Sequence, residues 1–178
     1  HEIVRGAVEA VAKLKDISCI LMVGDEPVVR SELAKYPKAD LSRLKIVHAP
    51  ESIGMDESPA TAVRKKKLCS INICMDLLKR EEADAMVSAG NSGAVSAAAV
   101  FSLGRIPGVI RPAIATVLPT RQPKRPLLLL DAGANTDCHE TWLAQFAVMG
   151  SAYSHAVLKR TEPVVGLLSI GTEDCKGN

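Results

Sequence analysis

The chain has 178 residues, of which 47% are hydrophobic and 24% are charged, and its formal net charge is +2. This length is enough to bury a substantial hydrophobic core, and the small net charge by itself gives no reason to expect a nucleic-acid-binding protein. Only 3% of the residues are aromatic, so the core must be built from aliphatic residues and methionine. No apolar run approaches the length that crosses a bilayer.

Apolar periodicity predicts alternating helices and strands along the chain. In chain order the predicted elements are a helix over 3–15, a strand over 17–23, a helix over 27–36, a strand over 44–49, a long helix over 59–81, a strand over 83–89, a helix over 91–104, strands over 113–119 and 126–133, a helix over 140–158 and a strand over 163–171.

The predicted strands are apolar throughout, which is typical of strands covered by helices on both faces. Together with the alternation of helix and strand, this indicates an α/β fold with a parallel or mixed sheet. The strands at 113–119 and 126–133 interrupt the alternation, because only the basic stretch "TRQPKR" separates them. They form either a hairpin or an excursion. We expect one α/β domain over 1–178.

Five cysteines occur without C-x-x-C spacing, at Cys19, Cys69, Cys74, Cys138 and Cys175. Their odd number and their spacing argue against a disulfide framework and against a structural zinc site. The histidines show no metal-ligand spacing either. The sequence therefore predicts reduced thiols and no metal centre.

The stretch "VSAGNSGA" joins a predicted strand to a predicted helix. Either Asn91 or Ser92 is the expected N-cap of that helix. The glycines leave backbone N–H groups open to an anion, but a tight capped turn explains the same residues. The stretch matches neither the P-loop nor the dinucleotide-binding fingerprint.

Two further loops follow predicted strands and carry polar side chains. "DAGANTD" begins at Asp131, which is either a group facing a cleft or a carboxylate that accepts bonds from loop amides. "GTEDCKGN" contains Lys176, which is either a surface lysine or a fixed positive charge for phosphate or an oxyanion.

Taken together, the chain resembles the phosphate acyltransferases of bacterial phospholipid synthesis, also called fatty acid/phospholipid synthesis proteins. The resemblance covers essentially the whole chain. It is carried by the segments "LMVGDE", "ESPATAVRKKKLCS", "ADAMVSAGNSGA", "GRIPGVIRPAIATVLPT", "LLLLDAGANTDC", "LAQFAVMGSAY" and "VGLLSIGTEDCKGN". Ser92 stands where the family usually has Thr, which keeps the hydroxyl. The family's opening strand and a further C-terminal portion are absent from the sequence, so we expect a piece of a longer enzyme.

The resemblance implies a three-layer α/β/α fold with a mostly parallel sheet, similar to isocitrate and isopropylmalate dehydrogenases. It implies transfer of a fatty acyl group from acyl carrier protein to inorganic phosphate, without a metal or organic cofactor. The acyl-phosphate product passes to a membrane glycerol-3-phosphate acyltransferase. The resemblance also implies a cytoplasmic homodimer with peripheral membrane contact.

The loops after the predicted strands supply groups suited to this expected reaction, which needs a phosphate pocket and stabilisation of an oxyanion. Those expected in catalysis are Lys176, Asn178 and Asn135. Those expected to bind phosphate or substrate are Ser88, Gly90, Asn91, Ser92, Gly93, Asp131, Asp137 and Thr172. A basic face is expected to dock the acidic carrier protein, formed by Arg64, Lys65, Lys66 and Lys67, or by Arg121, Lys124 and Arg125.

Two other functions compete with this one. A phosphate acyltransferase that uses a coenzyme A thioester would differ in its acyl donor. A non-catalytic anion-binding scaffold of lipid synthesis would capture partners without turnover. A nicotinamide dehydrogenase is suggested only by analogy of fold, and the missing dinucleotide fingerprint weighs against it.

Overall fold

A computed structural model of the protein describes residues 1–135 and 137–168. The chain falls into two compact units, His1–Gly104 and a second unit that begins at Arg105. Helices and a parallel pair of strands form the first unit, so the predicted α/β class is confirmed. Whether 1–178 acts as one domain stays a prediction. Within the described ranges, no helix is both long and apolar enough to cross a membrane.

The first unit holds two strands and five helices among its described residues. In chain order these are α1 (Glu2–Lys13), β1 (Ile20–Gly24), α2 (Glu26–Leu33), β2 (Leu44–His48), α3 (Pro59–Lys65), α4 (Ser70–Lys79) and α5 (Ser92–Ser102). Strands β1 and β2 pair in parallel, with Ile20 opposite Leu44 and Gly24 opposite His48. Helix α2 makes the crossover that a parallel pair requires.

Helix α1 is amphipathic, because Val4, Val8 and Val11 are buried at helical spacing while its charged residues face outward. Its last carbonyls lack intrahelical donors. The guanidinium of Arg43 supplies them, donating to the carbonyl oxygens of Val11 and Leu14. These two bonds fix the C-terminus of α1 to the start of β2.

A second apolar cluster joins α3, α4 and α5. Its buried members are small or aliphatic side chains, Val63, Cys69, Ile71, Met75, Ala94 and Ala98. This composition agrees with the scarcity of aromatic residues in the sequence. Alanine at two positions of α5 brings that helix close to its neighbours, so the N-terminus of α5 lies beside α3.

The predicted helix over 59–81 is broken, and this part of the prediction is wrong. Helix α3 ends at Lys65 and α4 begins at Ser70. Between them, the N–H of Leu68 donates to Glu51 Oε2 at 2.8 Å, and the N–H of Ser70 donates to the Glu51 carbonyl at 3.2 Å. These bonds to a distant residue replace the intrahelical bonds that a continuous helix would make.

Two predicted strands are also wrong. Residues 83–89 form no strand, and Val87 is 97% exposed. Residues 163–168 are not a strand either, and 169–171 lie outside the described residues. In both cases no neighbouring strand among the described residues supplies backbone hydrogen-bond partners. An apolar run without such partners does not become a strand.

The second unit contains β3 (Ala115–Leu118), β4 (Leu127–Leu130) and α6 (Glu140–Ala156). Strands β3 and β4 pair antiparallel, with Leu118 opposite Leu127, so the hairpin alternative is confirmed. Helix α6 packs on β4. The side chain of Gln145 accepts from the N–H of Ile110 at 2.8 Å and donates to the carbonyl of Gly108 at 2.8 Å, which ties the 108–110 loop to α6.

Candidate functional site

The Ser88–Gly93 loop leads into α5 and is organised by Asn91. Asn91 is the N-cap of α5, because its Oδ1 accepts a bond from the N–H of Ala94 at 3.0 Å. Its Nδ2 donates to the carbonyl oxygens of Gly54 and Glu57 at 3.1 and 3.4 Å. The residue is 6% exposed. Asn91 therefore serves the loop through these protein bonds, and not as an open amide.

Backbone groups of the same loop remain open. The N–H groups of Ser92 and Gly93 precede the intrahelical bonds of α5, and no acceptor contacts them in the part of the chain that the structure describes. The N–H of Gly90 donates to Ser88 Oγ at 3.2 Å. Ser88, Gly90 and Ser92 are exposed. The loop thus offers donors at the positive end of a helix dipole, which favours an anion.

The first turns of α3 and α5 touch at Gly93. A Cβ atom at this position would lie 2.8 Å from Pro59 Cγ and 3.3 Å from Pro59 Cβ. Contacts under 3.0 Å are not tolerated by real Cβ atoms. Glycine is therefore needed at position 93 so that α3 can approach, in addition to any role in leaving its N–H accessible.

Lys66, predicted to dock a carrier protein, lies against Glu57. Its Nζ donates to Glu57 Oε1 at 2.6 Å and to the Ser52 carbonyl at 2.7 Å. The same carboxylate oxygen accepts the N–H of Gly54 at 2.6 Å. The bonds from Lys66 and Gly54 lower the pKa of Glu57 below its ordinary value. The ammonium is thus bound within the fold.

The other cations of the "RKKK" run lie differently. Lys65 and Lys67 are exposed. The guanidinium carbon of Arg64 lies 4.7 Å from the centre of the Phe101 ring, a cation–π contact that holds the side chain against α5. In the second unit, Arg121, Lys124 and Arg125 are exposed on the hairpin turn.

In the second unit, Asp131 organises the loop after β4. Its Oδ1 accepts the N–H groups of Ile114, Gly133 and Ala134 at 2.7, 3.3 and 3.2 Å. Its Oδ2 accepts the backbone N–H and the Nδ2 of Asn135 at 2.7 and 2.9 Å. Asp131 therefore satisfies loop amides, which is the second of the two interpretations that the sequence left open.

The charge of Asp131 is stabilised by these bonds. Partial burial by itself raises the pKa of the carboxyl, but the bonds from Ile114, Asn135 and Ala134 outweigh it and lower the pKa below the ordinary value. Asn135 also donates to the Pro112 carbonyl at 3.0 Å, so its side chain joins the loop to the segment before β3. Asp137 is exposed.

Three predicted site residues, Thr172, Lys176 and Asn178, lie outside the described residues, as does Cys175. The remaining ones divide between the two units. Ser88, Gly90, Asn91, Ser92 and Gly93 are brought together with Lys66 through Asn91 and Glu57 in the first unit. Asp131 and Asn135 are bonded to each other in the second unit.

Cysteine and metal chemistry is limited in the described residues. Cys19, Cys69, Cys74 and Cys138 are free thiols. Burial raises the pKa of the Cys74 thiol, with a smaller contribution from Cys69, so Cys74 is a poor nucleophile at neutral pH. Within 1–135 and 137–168, no three His, Cys, Asp or Glu side chains group as metal ligands would.

The sequence pattern does not reveal the contacts made by two residues, Glu57 and Arg111. Glu57 lies in the "ESPATA" stretch, where Ser-Pro marks a helix start, but nothing in the pattern points its carboxylate to Lys66. Arg111 was also missed. Its guanidinium carbon lies 4.8 Å from the Trp142 ring centre, and the His139 ring contacts the same indole edge-on at 4.8 Å.

Comparison with known proteins agrees with the resemblance carried by these loops. The family model described as "Fatty acid synthesis protein" matches residues 1–178. The chain is 55% identical over 178 residues to a phosphate acyltransferase of Nostoc sp. The match covers 100% of this chain and 51% of that protein. It is also 55% identical over 177 residues to the phosphate acyltransferase of Nostoc punctiforme. This match covers 99% of this chain and 51% of that protein.

A relative from another organism gives the same result. The chain is 51% identical over 174 residues to the phosphate acyltransferase of Elusimicrobium minutum, covering 97% of this chain and 50% of that protein. The chain thus spans about half the length of the curated relatives it matches. Because the family model matches the whole length of the chain, the chain belongs to the fatty acid synthesis protein family.

Proposed function

We propose that this chain is part of an enzyme that transfers a fatty acyl group from acyl carrier protein to inorganic phosphate. The observation that carries the proposal is 55% identity, over all 178 residues, to a protein named phosphate acyltransferase. The product is an acyl-phosphate, which a membrane glycerol-3-phosphate acyltransferase consumes in phospholipid synthesis.

The reaction needs no covalent enzyme intermediate, because hydrogen phosphate is itself a nucleophile. A phosphate oxygen attacks the thioester carbonyl, the new C–O bond forms, and the C–S bond breaks. The carrier leaves as a thiolate and receives the proton that hydrogen phosphate carried. The protein has to hold phosphate and thioester together and stabilise the oxyanion of the tetrahedral intermediate.

The Ser88–Gly93 loop supports the phosphate half of this proposal. The open N–H groups of Ser92 and Gly93 lie at the N-terminus of an 11-residue helix, and the Ser88 and Ser92 hydroxyls are on exposed residues. Phosphate binds well where several N–H donors and a helix dipole coincide. Asn91 contributes by capping the helix, and Gly90 by allowing close approach.

The remaining predicted residues complete the site in this proposal. Lys176 and Asn178 steady the phosphate or the oxyanion, with Thr172 beside them. Asn135 orients the reacting groups. Asp131 holds Asn135 in place, since its carboxylate accepts both the backbone and side-chain N–H of that residue. Asp137, which is exposed, is proposed to bind phosphate or substrate.

We further propose that Arg64 and Lys65 dock the acidic carrier protein. Both residues are exposed, and Arg64 is held over Phe101, so its charge is presented with less loss of side-chain freedom. Lys66 contributes less, because Glu57 already compensates its charge. Arg121, Lys124 and Arg125 are the alternative docking face.

For the whole protein we propose a three-layer α/β/α fold with a mostly parallel sheet, like that of isocitrate and isopropylmalate dehydrogenases. The parallel pair β1–β2 with its crossover helix is one unit of such a sheet. We also propose a cytoplasmic homodimer that contacts the membrane peripherally.

The test uses the natural protein that contains this chain, with this chain assayed beside it. A long-chain acyl carrier protein thioester and the matching acyl-coenzyme A are supplied in parallel, with and without inorganic phosphate, and acyl-phosphate is detected by mass. We expect phosphate-dependent product from the carrier thioester. Product from acyl-coenzyme A alone would establish the other donor. Capture of carrier protein without any turnover would establish a scaffold instead.

A further inference from the structure

We infer that Lys66 and Glu57 are positioning residues that act on the Ser88–Gly93 loop through Asn91. The inference rests on the proposed function, because it takes that loop as the phosphate-binding element. It assigns Lys66 a role different from carrier docking.

Asn91 is the first link. Its buried side chain caps α5 with Oδ1 and uses Nδ2 to hold the carbonyls of Gly54 and Glu57, which lie 37 and 34 residues earlier. The amide therefore fixes the first turn of α5 to the 54–57 segment. Any shift of that segment moves the cap, and with it the direction of the open N–H groups.

Glu57 is the second link, because it closes the 54–57 segment on itself. Its Oε1 accepts the N–H of Gly54 at 2.6 Å, so the two carbonyls that Asn91 holds belong to a closed turn. The same oxygen receives Lys66 Nζ at 2.6 Å. A carboxylate with two donors on one oxygen has little freedom to rotate away.

Lys66 is the third link and joins the turn to the helices. Its Nζ also donates to the Ser52 carbonyl at 2.7 Å, so the lysine contacts the chain before the 54–57 turn as well as Glu57 within it. Its own carbonyl accepts Asn72 Nδ2 at 2.8 Å, and Asn72 lies in α4. The lysine is therefore anchored at its backbone and directed at its tip, with a side chain only 32% exposed.

A second contact, at Gly93, also holds this loop. Gly93 packs against Pro59 so closely that no Cβ fits between them. The first turn of α5 is thus held both by the Pro59 contact and by the bonds that run from Asn91 through Glu57 to Lys66. Loss of the second support lets the turn move without unfolding the helix cluster.

The expected effect falls on phosphate binding. Donors that are not held in position pay an ordering cost when the ligand binds. Replacing Lys66 with Met removes both bonds from its tip and leaves the Glu57 carboxylate uncompensated near a site for an anion. We therefore expect a raised KM for phosphate, with kcat at saturating phosphate and KM for the acyl carrier protein nearly unchanged.

The test is steady-state kinetics on the natural protein that contains this chain, with phosphate varied at saturating carrier thioester. We expect Lys66→Met to raise KM for phosphate by about five-fold. Lys66→Arg keeps a donor for Glu57 and should recover much of that loss. The control Lys79→Met removes an exposed lysine of α4 that makes no ion pair among the described residues, and it should leave KM for phosphate unchanged.

Lys65→Met separates the two roles. It should raise KM for the carrier protein and leave KM for phosphate unchanged. A merely structural role of Lys66 would lower the active fraction, which reduces apparent kcat but does not move KM. Unchanged KM for phosphate in Lys66→Met, or an increase confined to KM for the carrier protein, would overturn the inference.

A binding measurement makes the inference independent of turnover. Titration of inorganic phosphate by calorimetry should show weaker binding to Lys66→Met than to the wild type, with Lys79→Met like the wild type. If the wild type binds phosphate without producing acyl-phosphate, the proposed function fails while weaker binding by Lys66→Met still supports the inference. Absence of phosphate binding by the wild type would overturn it.

Discussion

Gly93 in the first turn of α5 and Pro59 in the first turn of α3 are in direct contact, with room for no Cβ atom between them. A Cβ at Gly93 would meet Pro59 Cγ at 2.8 Å, and because the pyrrolidine ring is closed onto the backbone, this atom cannot swing away as the end of a flexible side chain can. The contact sets the distance between two helix N-termini, beside the loop proposed to bind phosphate.

Gly93→Ala is expected to destabilise the protein by about 1–3 kcal/mol, because the helices must separate to admit a methyl group. Urea unfolding of the variant against the wild type measures this. Gly90→Ala is the matched control in the same loop, since a Cβ there would meet only Ser88 Oγ at an ordinary 3.5 Å. Equal stability of Gly93→Ala and wild type would mean that the contact is not close.

Asn91→Ala is expected to cost about 2 kcal/mol, because it removes the helix cap and leaves two carbonyls without their donor. Asn91→Ser keeps a capping oxygen but cannot bridge to Gly54 and Glu57, so it should lose less. Urea unfolding tests this, because the midpoint should be highest for the wild type, lower for the Ser variant and lowest for the Ala variant. If the Ser variant equals wild type, the bridge to the 54–57 segment has no energetic weight.

The acid sensitivity of the second unit depends on Asp131. Its folded-state pKa is lowered, so the bonds of its carboxylate stabilise the fold at any pH above the ordinary Asp value of about 3.9. That stability is lost as pH falls from this value through the lowered folded-state pKa. Asp131→Asn places an N–H where loop donors point, and it should be less stable at neutral pH.

Urea midpoints at neutral pH and below about pH 4 measure this linkage. The difference between wild type and Asp131→Asn should shrink as pH falls, because the wild-type carboxyl becomes protonated. Asp137→Asn, at an exposed position in the same loop, should show no such trend. A constant difference at every pH would contradict the assignment of a charge-dependent role to Asp131.

Carrier docking is tested by charge reversal. The double variant Arg64→Glu and Lys65→Glu should raise KM for acyl carrier protein by about tenfold at low salt, and the effect should shrink as salt is added. KM for phosphate should not change. Reversal of Lys15 and Lys38, exposed lysines elsewhere in the first unit, is the control. If the Arg64 and Lys65 variant binds carrier normally, docking on Arg121, Lys124 and Arg125 is the next test.

Lys176→Ala is expected to abolish acyl transfer and leave the fold intact, since the proposed function relies on the positive charge of this residue to steady phosphate or the oxyanion. Turnover, circular dichroism and urea unfolding of the variant check both parts. Near-normal turnover by a folded Lys176→Ala protein would remove this residue from the mechanism.

Much of the fold could be predicted from local pattern. Helices α5 and α6 and the β3–β4 hairpin lie within the predicted segments, and α1 begins one residue before its predicted segment, because apolar periodicity and turn residues are local signals. The break between α3 and α4 could not be predicted, because it depends on Glu51 accepting bonds from Leu68 and Ser70. Whether an apolar run forms a strand also depends on a pairing partner. The run at 83–89 has no such partner among the described residues.

The candidate site shows the same division. The sequence identified Asn91 as one of two capping residues, since N-caps have a local signature, but not the bonds of Nδ2 to residues more than 30 positions away. It grouped Lys66 with Arg64 and Lys65 because the charges are adjacent. The fold distinguishes them, because Lys66 points to Glu57 while Lys65 is exposed.

The most direct measurement of the central claim follows the phosphate oxygens. The natural protein that contains this chain is given a long-chain acyl carrier protein thioester and inorganic phosphate fully labelled with heavy oxygen, and the products are weighed by mass spectrometry. We predict acyl-phosphate that retains every labelled oxygen, because a phosphate oxygen forms the new bond to the acyl carbon. Unlabelled free fatty acid with no acyl-phosphate would contradict phosphate as the acyl acceptor.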